Sequence, residues 1–492
     1  MHYQPTIGLE IHIELKTRTK MFCGCLNNSD EKHPNINVCP VCLGHPGTLP
    51  TINKKAVESV LKLGLALNSE IPEISKFDRK NYFYPDLPKG YQISQYDKPL
   101  ALSGELNSVK IRRIHLEEDT ARLIHSPDGK SSLVDFNRAG VPLMELVTEP
   151  VIRNGEEAVA FAKELQLILR YLGISDADME KGQMRVEANV SVSKDKELGT
   201  KVEIKNLNSF RAVEEAIDYE IKRQTEILEK GEKIRHETRG WDDNKKITVS
   251  QRVKEEAHDY RYFPEPDLPI LILGTSDVLN IDDNNLGTSD VQRLKIIDLE
   301  KLKAEIPELP WQKRERFIKE YNFSKEQADI LTDDFAMADY FEKAASELKV
   351  QLPEADYRLL YNYLVSDLRG LTKEVKIAID EIKILPEQFA NLIALTIKNS
   401  LSSRVVKDIL KEMFERGVDP ETVLKDRSYD KMIDEESLNK AIEETLKDNS
   451  KAVSDYKKGR GNALQFLVGQ AMAQLKGRAD PKIIEELIKK QL

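Results

Sequence analysis

Residues 6–15, TIGLEIHIEL, alternate with a period of two. Ile7, Leu9, Ile11, Ile13 and Leu15 fall on one side of an extended chain; Gly8, Glu10, His12 and Glu14 fall on the other. An ordinary half-buried strand carries Lys, Thr or Ser on its wet side. Here two carboxylates flank an imidazole, with successive groups about 6.6 Å apart along the strand. Such a donor set suits a hard cation held by oxygen ligands and one nitrogen. A solvated face with incidental charges reads the same in isolation, so the other strands must discriminate.

Three further segments repeat the arrangement. In 184–192, MRVEANVSV, Arg185, Glu187, Asn189 and Ser191 oppose an apolar row. In 201–207, KVEIKNL, Lys201, Glu203 and Lys205 oppose Val202 and Ile204. In 143–149, LMELVTE, Glu145 and Glu149 share a face, and an acidic run, HLEED, occupies 115–119. One such strand is unremarkable. Several with carboxylates, Asn, Arg and Lys on one side predict a sheet whose second face is a reaction floor.

All four cysteines lie close together, as Cys23-x-Cys25 and Cys39-x-x-Cys42. Two close thiol pairs beside the turn residues Pro40 and Gly44 suit a tetrahedral structural zinc, although one intervening residue in the first pair is fewer than usual. Four buried, unligated thiols are the competing reading. Either way, no cysteine remains as a nucleophile elsewhere.

A chain of 492 residues is too long for one core. With 40% hydrophobic and 32% charged residues, no long apolar run and no signal-peptide pattern, a cytoplasmic location is expected. Up to about residue 270, short strands mix with helices over 53–68, 156–172 and 211–229, without regular β-α-β alternation. This predicts an α+β domain with an antiparallel sheet. LGTSDV occurs at 273–278 and again at 286–291, which reads as a surface insertion. Beyond it the sequence is almost wholly helical. The expected domains are 1–292, 293–409 and 410–492. The whole chain has a net charge of −10, yet residues 451–492 hold nine Lys/Arg against four Asp/Glu, a candidate contact for a phosphate backbone.

The loops 77–95, FDRKNYFYPDLPKGYQISQ, and 260–269, YRYFPEPDLP, mix aromatics with Arg and Lys. Such loops can stack and pair with nucleotides, or equally be buried staples. There is no phosphate-loop, dinucleotide, H-E-x-x-H or G-x-S-x-G motif. Any ATP chemistry must therefore run through a cation held by carboxylates.

GLEIHIEL, CPVCLGHPGTLP, FDRKNYFYPDLPKGYQISQ, HLEED, DFNRAGVPLMELVTEP, MRVEANVSV, EIKNLNSF and DYRYFPEPDLP follow one another in this order. Together with YKKGRGNALQFLVGQAMAQLKGRADP in the tail, they resemble the B-subunit family of the aspartyl/glutamyl-tRNA amidotransferases over nearly the whole chain. The duplicated LGTSDV departs from that pattern. The resemblance implies a cradle-like catalytic domain, a helical domain and a small helical tail. It also implies an ATP-dependent ligase forming a carbon–nitrogen bond with glutamine as amido donor. The side-chain carboxylate of mischarged Glu-tRNA(Gln) or Asp-tRNA(Asn) would be phosphorylated, then amidated by ammonia from a glutaminase A subunit, with a small C subunit joining the two.

Carried over, Mg²⁺ and ATP positions map to Glu10, His12, Glu118 and Glu145. On charge and strand face rather than by that mapping, Arg185, Glu187 and Lys205 are expected to act in catalysis, and Lys80, Tyr82, Asn189, Glu203 and Arg261 to contact ATP or substrate. Lys457, Lys458, Arg460, Lys476 and Arg478 are expected to contact tRNA. A non-catalytic tRNA-binding scaffold and a metal-dependent hydrolase remain as alternatives. An acidic floor repels RNA unless a cation sits in it, which opposes the scaffold, and there is no histidine-rich cluster to support a zinc hydrolase.

Overall fold

A computed structural model describes residues 3–126, 128–194, 197–253, 260–274, 294–426, 435–458, 462–475 and 481–492. All but the first two residues of the LGTSDV duplication lie outside these ranges. The chain divides into two compact units, Met1–Leu309 and Pro310–Leu492.

The first unit is built on a nine-stranded sheet among the described residues, with the Gln4–Glu14 strand near its middle. Pro142–Thr148 flanks that strand on one side and Met184–Ser193 on the other, both antiparallel. Val109–Glu118 lies beyond the first of these, and Val202–Leu207 beyond the second. Ile7, Ile11 and Ile13 are fully buried, as are Ala188, Val190 and Ile204 on neighbouring strands. Helices Lys54–Ala66 and Phe210–Glu229 pack against the sheet, and Gly155–Tyr171 packs against the latter helix. Each of the three starts at a side-chain cap, Asn53, Asn154 or Ser209, which accepts a backbone N–H of the first turn. With one face of the sheet given to the core, its polar residues are left on the other.

The expectation of an antiparallel sheet needs one correction. Val202–Leu207 pairs in parallel with Glu237–Asp242. Parallel neighbours need a long crossover, which the Phe210–Glu229 helix supplies. The sheet is therefore mixed within an α+β unit.

The aromatic loops fold onto each other. Asp78–Asn81 pairs with Tyr91–Ser94 and with Phe263–Pro264 in a small separate sheet. The Arg79 guanidinium holds Glu265 through two bonds, at 2.7 and 2.8 Å. Past residue 292 the unit continues: Leu294–Ile297 pairs with Leu271–Leu273, and Lys62 bonds Glu305 at 2.6 Å.

The second unit is helical. One apolar cluster joins Phe317, Phe341, Phe389, Ile409, Leu410 and Leu424. The 409/410 position lies within the helix Ser403–Arg416, inside this cluster. A smaller cluster joins Leu438, Ile442, Leu467, Ile484 and Ile488. Among the described residues, no helix is long and apolar enough to cross a membrane.

Candidate active site

Strand register builds the site. Arg185, His12, Glu145 and His115 face one another in a row across four strands. The His12 Nε2 lies 3.4 Å from Glu145 Oε2 and 3.8 Å from Glu10 Oε1. From the other side, His115 Nε2 lies 3.3 Å from the same Glu145 oxygen and 3.7 Å from Glu117 Oε2. Glu145 is only 4% exposed.

Burial alone would raise the Glu145 carboxyl, but His115 and His12 beside it hold it well below the usual range. Burial pulls both imidazoles down, and Glu145 outweighs this, lifting His12 to about 9 and His115 to about 8. Burial, with repulsion from Glu145, pushes Glu10 up to about 7. The cluster thus has a strong negative field that a cation relieves, with protons occupying that role on the histidines.

Two overlapping donor sets fall within 4.8 Å: Glu10, His12 and Glu145, and His115, Glu117 and Glu145. Carboxylates plus one imidazole fit a divalent cation, which would displace the imidazole protons on binding.

Cationic side chains frame this floor. Burial opposes charge on Lys80, yet Glu117 and its neighbours hold it above its ordinary value, and its Nζ lies 5.1 Å over the Tyr260 ring. Lys205 Nζ reaches Glu187 at 2.9 Å and Glu203 at 3.3 Å, and these carboxylates outweigh burial to raise it. Asn189 stands between Gly8 and Glu203 in register. Tyr82, raised by burial, donates to Gln92 at 3.4 Å. At the far end, Arg185 donates to Asp119 at 3.0 Å, and Glu14 accepts from Ser29 at 2.8 Å. Arg261 is exposed, its backbone in the left-handed region, and its carbonyl accepts from Asn81.

Glu118 does not join the cluster. Its carboxylate bonds Lys89 at 2.5 Å and the Ile93 N–H at 3.0 Å, beside a cleft lined by Cys23 and Cys42. The reason is parity: His115 and Glu117 share one face of their strand, and Glu118 takes the opposite one. His115 and Glu117 stand in the acidic run read as part of the floor but are not among the residues assigned to it, although the alternation of Ile114 and Leu116 with 113, 115 and 117 carries that signal. Glu149 also leaves the floor. A register shift after Val147 turns it toward Arg112, which holds it at 2.8 and 3.0 Å.

The four cysteine sulfurs lie within 4.8 Å of one another. Cys39 and Cys42 are 3.9 Å apart, against about 3.8 Å for the edge of a tetrahedron with 2.3 Å zinc–sulfur bonds. A hydrogen bond from Cys23 pulls Cys42 down to about 5. The donor set and spacing fit zinc.

In the tail, Lys457 ends the helix Ser450–Lys457, and Lys458 follows it; both are exposed. Arg460, Lys476 and Arg478 lie outside the described residues.

The profile of the GatB/GatE catalytic domain matches residues 5–278, and that of the GatB domain matches residues 339–492. The B subunit of the aspartyl/glutamyl-tRNA(Asn/Gln) amidotransferase of Caldicellulosiruptor saccharolyticus is 45% identical across 100% of this chain and 99% of its own length. Relatives of the same name from Thermodesulfovibrio yellowstonii and Persephonella marina are 45% and 43% identical, each over the full length of both chains. A full-length match of this closeness, on a chain with the acidic sheet face and the cysteine knuckle, places the protein in the B-subunit family of the aspartyl/glutamyl-tRNA amidotransferases.

Proposed function

We propose that the polar sheet face is where a mischarged Glu-tRNA(Gln) or Asp-tRNA(Asn) has its side-chain carboxylate phosphorylated by ATP and then amidated. An oxygen of the substrate carboxylate attacks the γ-phosphorus and ADP departs, leaving an acyl phosphate. Ammonia then attacks the acyl carbon, inorganic phosphate leaves, and the nitrogen gives up a proton. The phosphate is needed because oxide is too poor a leaving group.

The single observation that carries this reading is Glu145 between two imidazoles, with Glu10 and Glu117 beside it. Bare carboxylates would repel both ATP and RNA, whereas the same groups around a cation would attract them. Glu10, His12 and Glu145 would hold Mg²⁺, with His115 and Glu117 able to share a second ion through Glu145. Bound there, the cation would supply neutralisation of phosphoryl charge. Lys80 and Lys205 bring ammonium groups to either side, and Arg185, tied to Asp119, adds a fixed guanidinium. Tyr260 and Tyr262, whose rings meet edge to face, offer a surface for a base to stack on. The exposed Lys457 and Lys458 would hold the tRNA body.

The ammonia would come from a glutaminase A subunit, joined through a small C subunit, in the cytoplasm. All four cysteines gather in the knuckle, which supports a glutaminase nucleophile on another chain. The test is Glu10→Gln in the full complex with mischarged tRNA, ATP and free ammonia. Amidation and tRNA-dependent ATP cleavage should both be lost while glutamine hydrolysis persists. Amidation at the wild-type rate would favour a scaffold that binds tRNA for a partner.

A further inference from the structure

Lys20 is among the largest fully buried side chains of the first unit, at 0% exposure. A buried ammonium is costly unless an opposite charge lies beside it. Among the described residues no carboxylate comes within ion-pair distance of its Nζ. It has two partners: the Phe136 carbonyl at 3.2 Å and the Cys42 sulfur at 3.9 Å. Bulk water does not reach it. Gly140, held at φ +84°, closes over the pair, and a Cβ there would sit 3.5 Å from the Cys42 Cβ and 3.6 Å from the Lys20 Cδ.

The main chain ties the same two regions together. The Lys20 N–H bonds the Cys25 carbonyl at 2.9 Å, and the Met21 N–H bonds the Gly140 carbonyl at 2.7 Å. Lys20 therefore stands between the cysteine knuckle and residues 136–140, which lead into the strand bearing Glu145.

A zinc ion with four thiolates carries a net charge of −2. With no carboxylate beside Lys20, the negative charge it faces comes from the thiolates of this site, beginning with Cys42. We propose that Lys20 is an outer-sphere partner of the cysteine-bound metal, donating to the Cys42 thiolate and offsetting the charge of the loaded site. The metal and the ammonium then stabilise each other: the loaded site needs a cation nearby, and the buried cation needs the loaded site. This positioning role rests on the zinc reading and concerns no atom of the amidation reaction.

The experiment compares wild type, Lys20→Met and Lys20→Arg as full chains. Each is loaded with Zn²⁺, assayed for metal content and then challenged with a chelator. Wild type should hold about one zinc per chain. Lys20→Met, which keeps length and apolar fill but removes the charge, should bind roughly 10–100-fold more weakly, as outer-sphere changes commonly do. Lys20→Arg should stay near wild type. Two readouts exclude a merely structural role. Stripping the metal should lower the Tm of Lys20→Met less than that of wild type, because the buried ammonium of the stripped wild type faces the single Cys42 thiolate in place of a site of charge −2. In Co²⁺-substituted protein, the sulfur-to-metal charge-transfer bands of Lys20→Met should move to longer wavelength, since the hydrogen bond that stabilised the sulfur lone pair is gone. If Lys20→Met does not fold, Lys20→Gln carries the same comparison. Absence of zinc from wild type overturns the metal reading together with this one. Zinc retained equally by both proteins, with unshifted cobalt bands, overturns the role of Lys20 alone.

Discussion

His12 and His115 approach the same carboxylate oxygen of Glu145, at 3.4 and 3.3 Å, from the strands on its two sides. Antiparallel pairing sets this arrangement, since directly opposite residues share a face. The consequence is a carboxylate held ionised where burial alone would protonate it. Glu10 shows the converse, a carboxylate raised to about 7 by burial and by repulsion from Glu145, which His12 and Lys205 only partly offset.

The two adjacent glutamates of the Val109–Glu118 strand should behave differently. Glu117→Gln changes the floor and should lower ammonia-dependent amidation by about 10²-fold, as losing a fixed charge at a reacting centre does. Glu118→Gln leaves the floor intact and removes the partner of Lys89. It should reduce Tm more than activity. Steady-state rates and thermal melts of both variants decide the matter, and equal loss of activity in the two would contradict the face assignment.

Ile11 sits fully buried on the central strand, with Val186 and Leu146 opposite it. Ile11→Ala should destabilise the first unit by about 2–5 kcal/mol, the range for a cavity in a packed core. Denaturant titration followed by circular dichroism measures this. A change below about 1 kcal/mol would mean that the site collapses freely, against the packing seen here.

The Glu237 carboxyl is opposed by burial, but Ser250, Arg239 and Arg223 outweigh it and place its pKa below 4.5. A carboxyl depressed by folding contributes stability above its unfolded pKa, and loses it as pH falls through the folded value. Glu237→Gln should therefore be less stable than wild type at neutral pH. The difference should narrow as pH drops below about 4.5. A gap in Tm that stays constant from pH 7 to pH 3 would rule out the ion pairs as its source.

Lys457→Ala with Lys458→Ala should weaken tRNA binding and reduce the slope of log K against log salt by about one unit for each phosphate no longer neutralised. Filter binding across a salt series reads both quantities. Unchanged affinity and slope would assign this end of the helix to structure or to a partner protein.

Much of the first unit was legible because period two is a local property. The apolar rows at Ile7–Ile13 and Val186–Val192 follow from alternation alone, as do the polar faces carrying Glu10, His12, Arg185 and Glu187. The three helices were equally local, expected over 53–68, 156–172 and 211–229 and observed over Lys54–Ala66, Gly155–Tyr171 and Phe210–Glu229. The cysteine spacing pointed to one knuckle without any knowledge of the fold.

What required the tertiary structure was register and strand order. His12 meets Glu145 across more than a hundred residues of chain, and no spacing announces that pairing. The parallel neighbour Glu237–Asp242 joins the sheet only because a helix carries the chain back across its face. Glu117 and Glu118 differ by one step in sequence, but a period of two sends them to opposite sides of the sheet. Lys20 reads in sequence as an ordinary surface lysine. Only the folding of residues 136–140 over the knuckle removes it from water and sets its charge beside Cys42. The physical reason is the same in each case: local periodicity determines which way a side chain points, and long-range packing determines what it meets there.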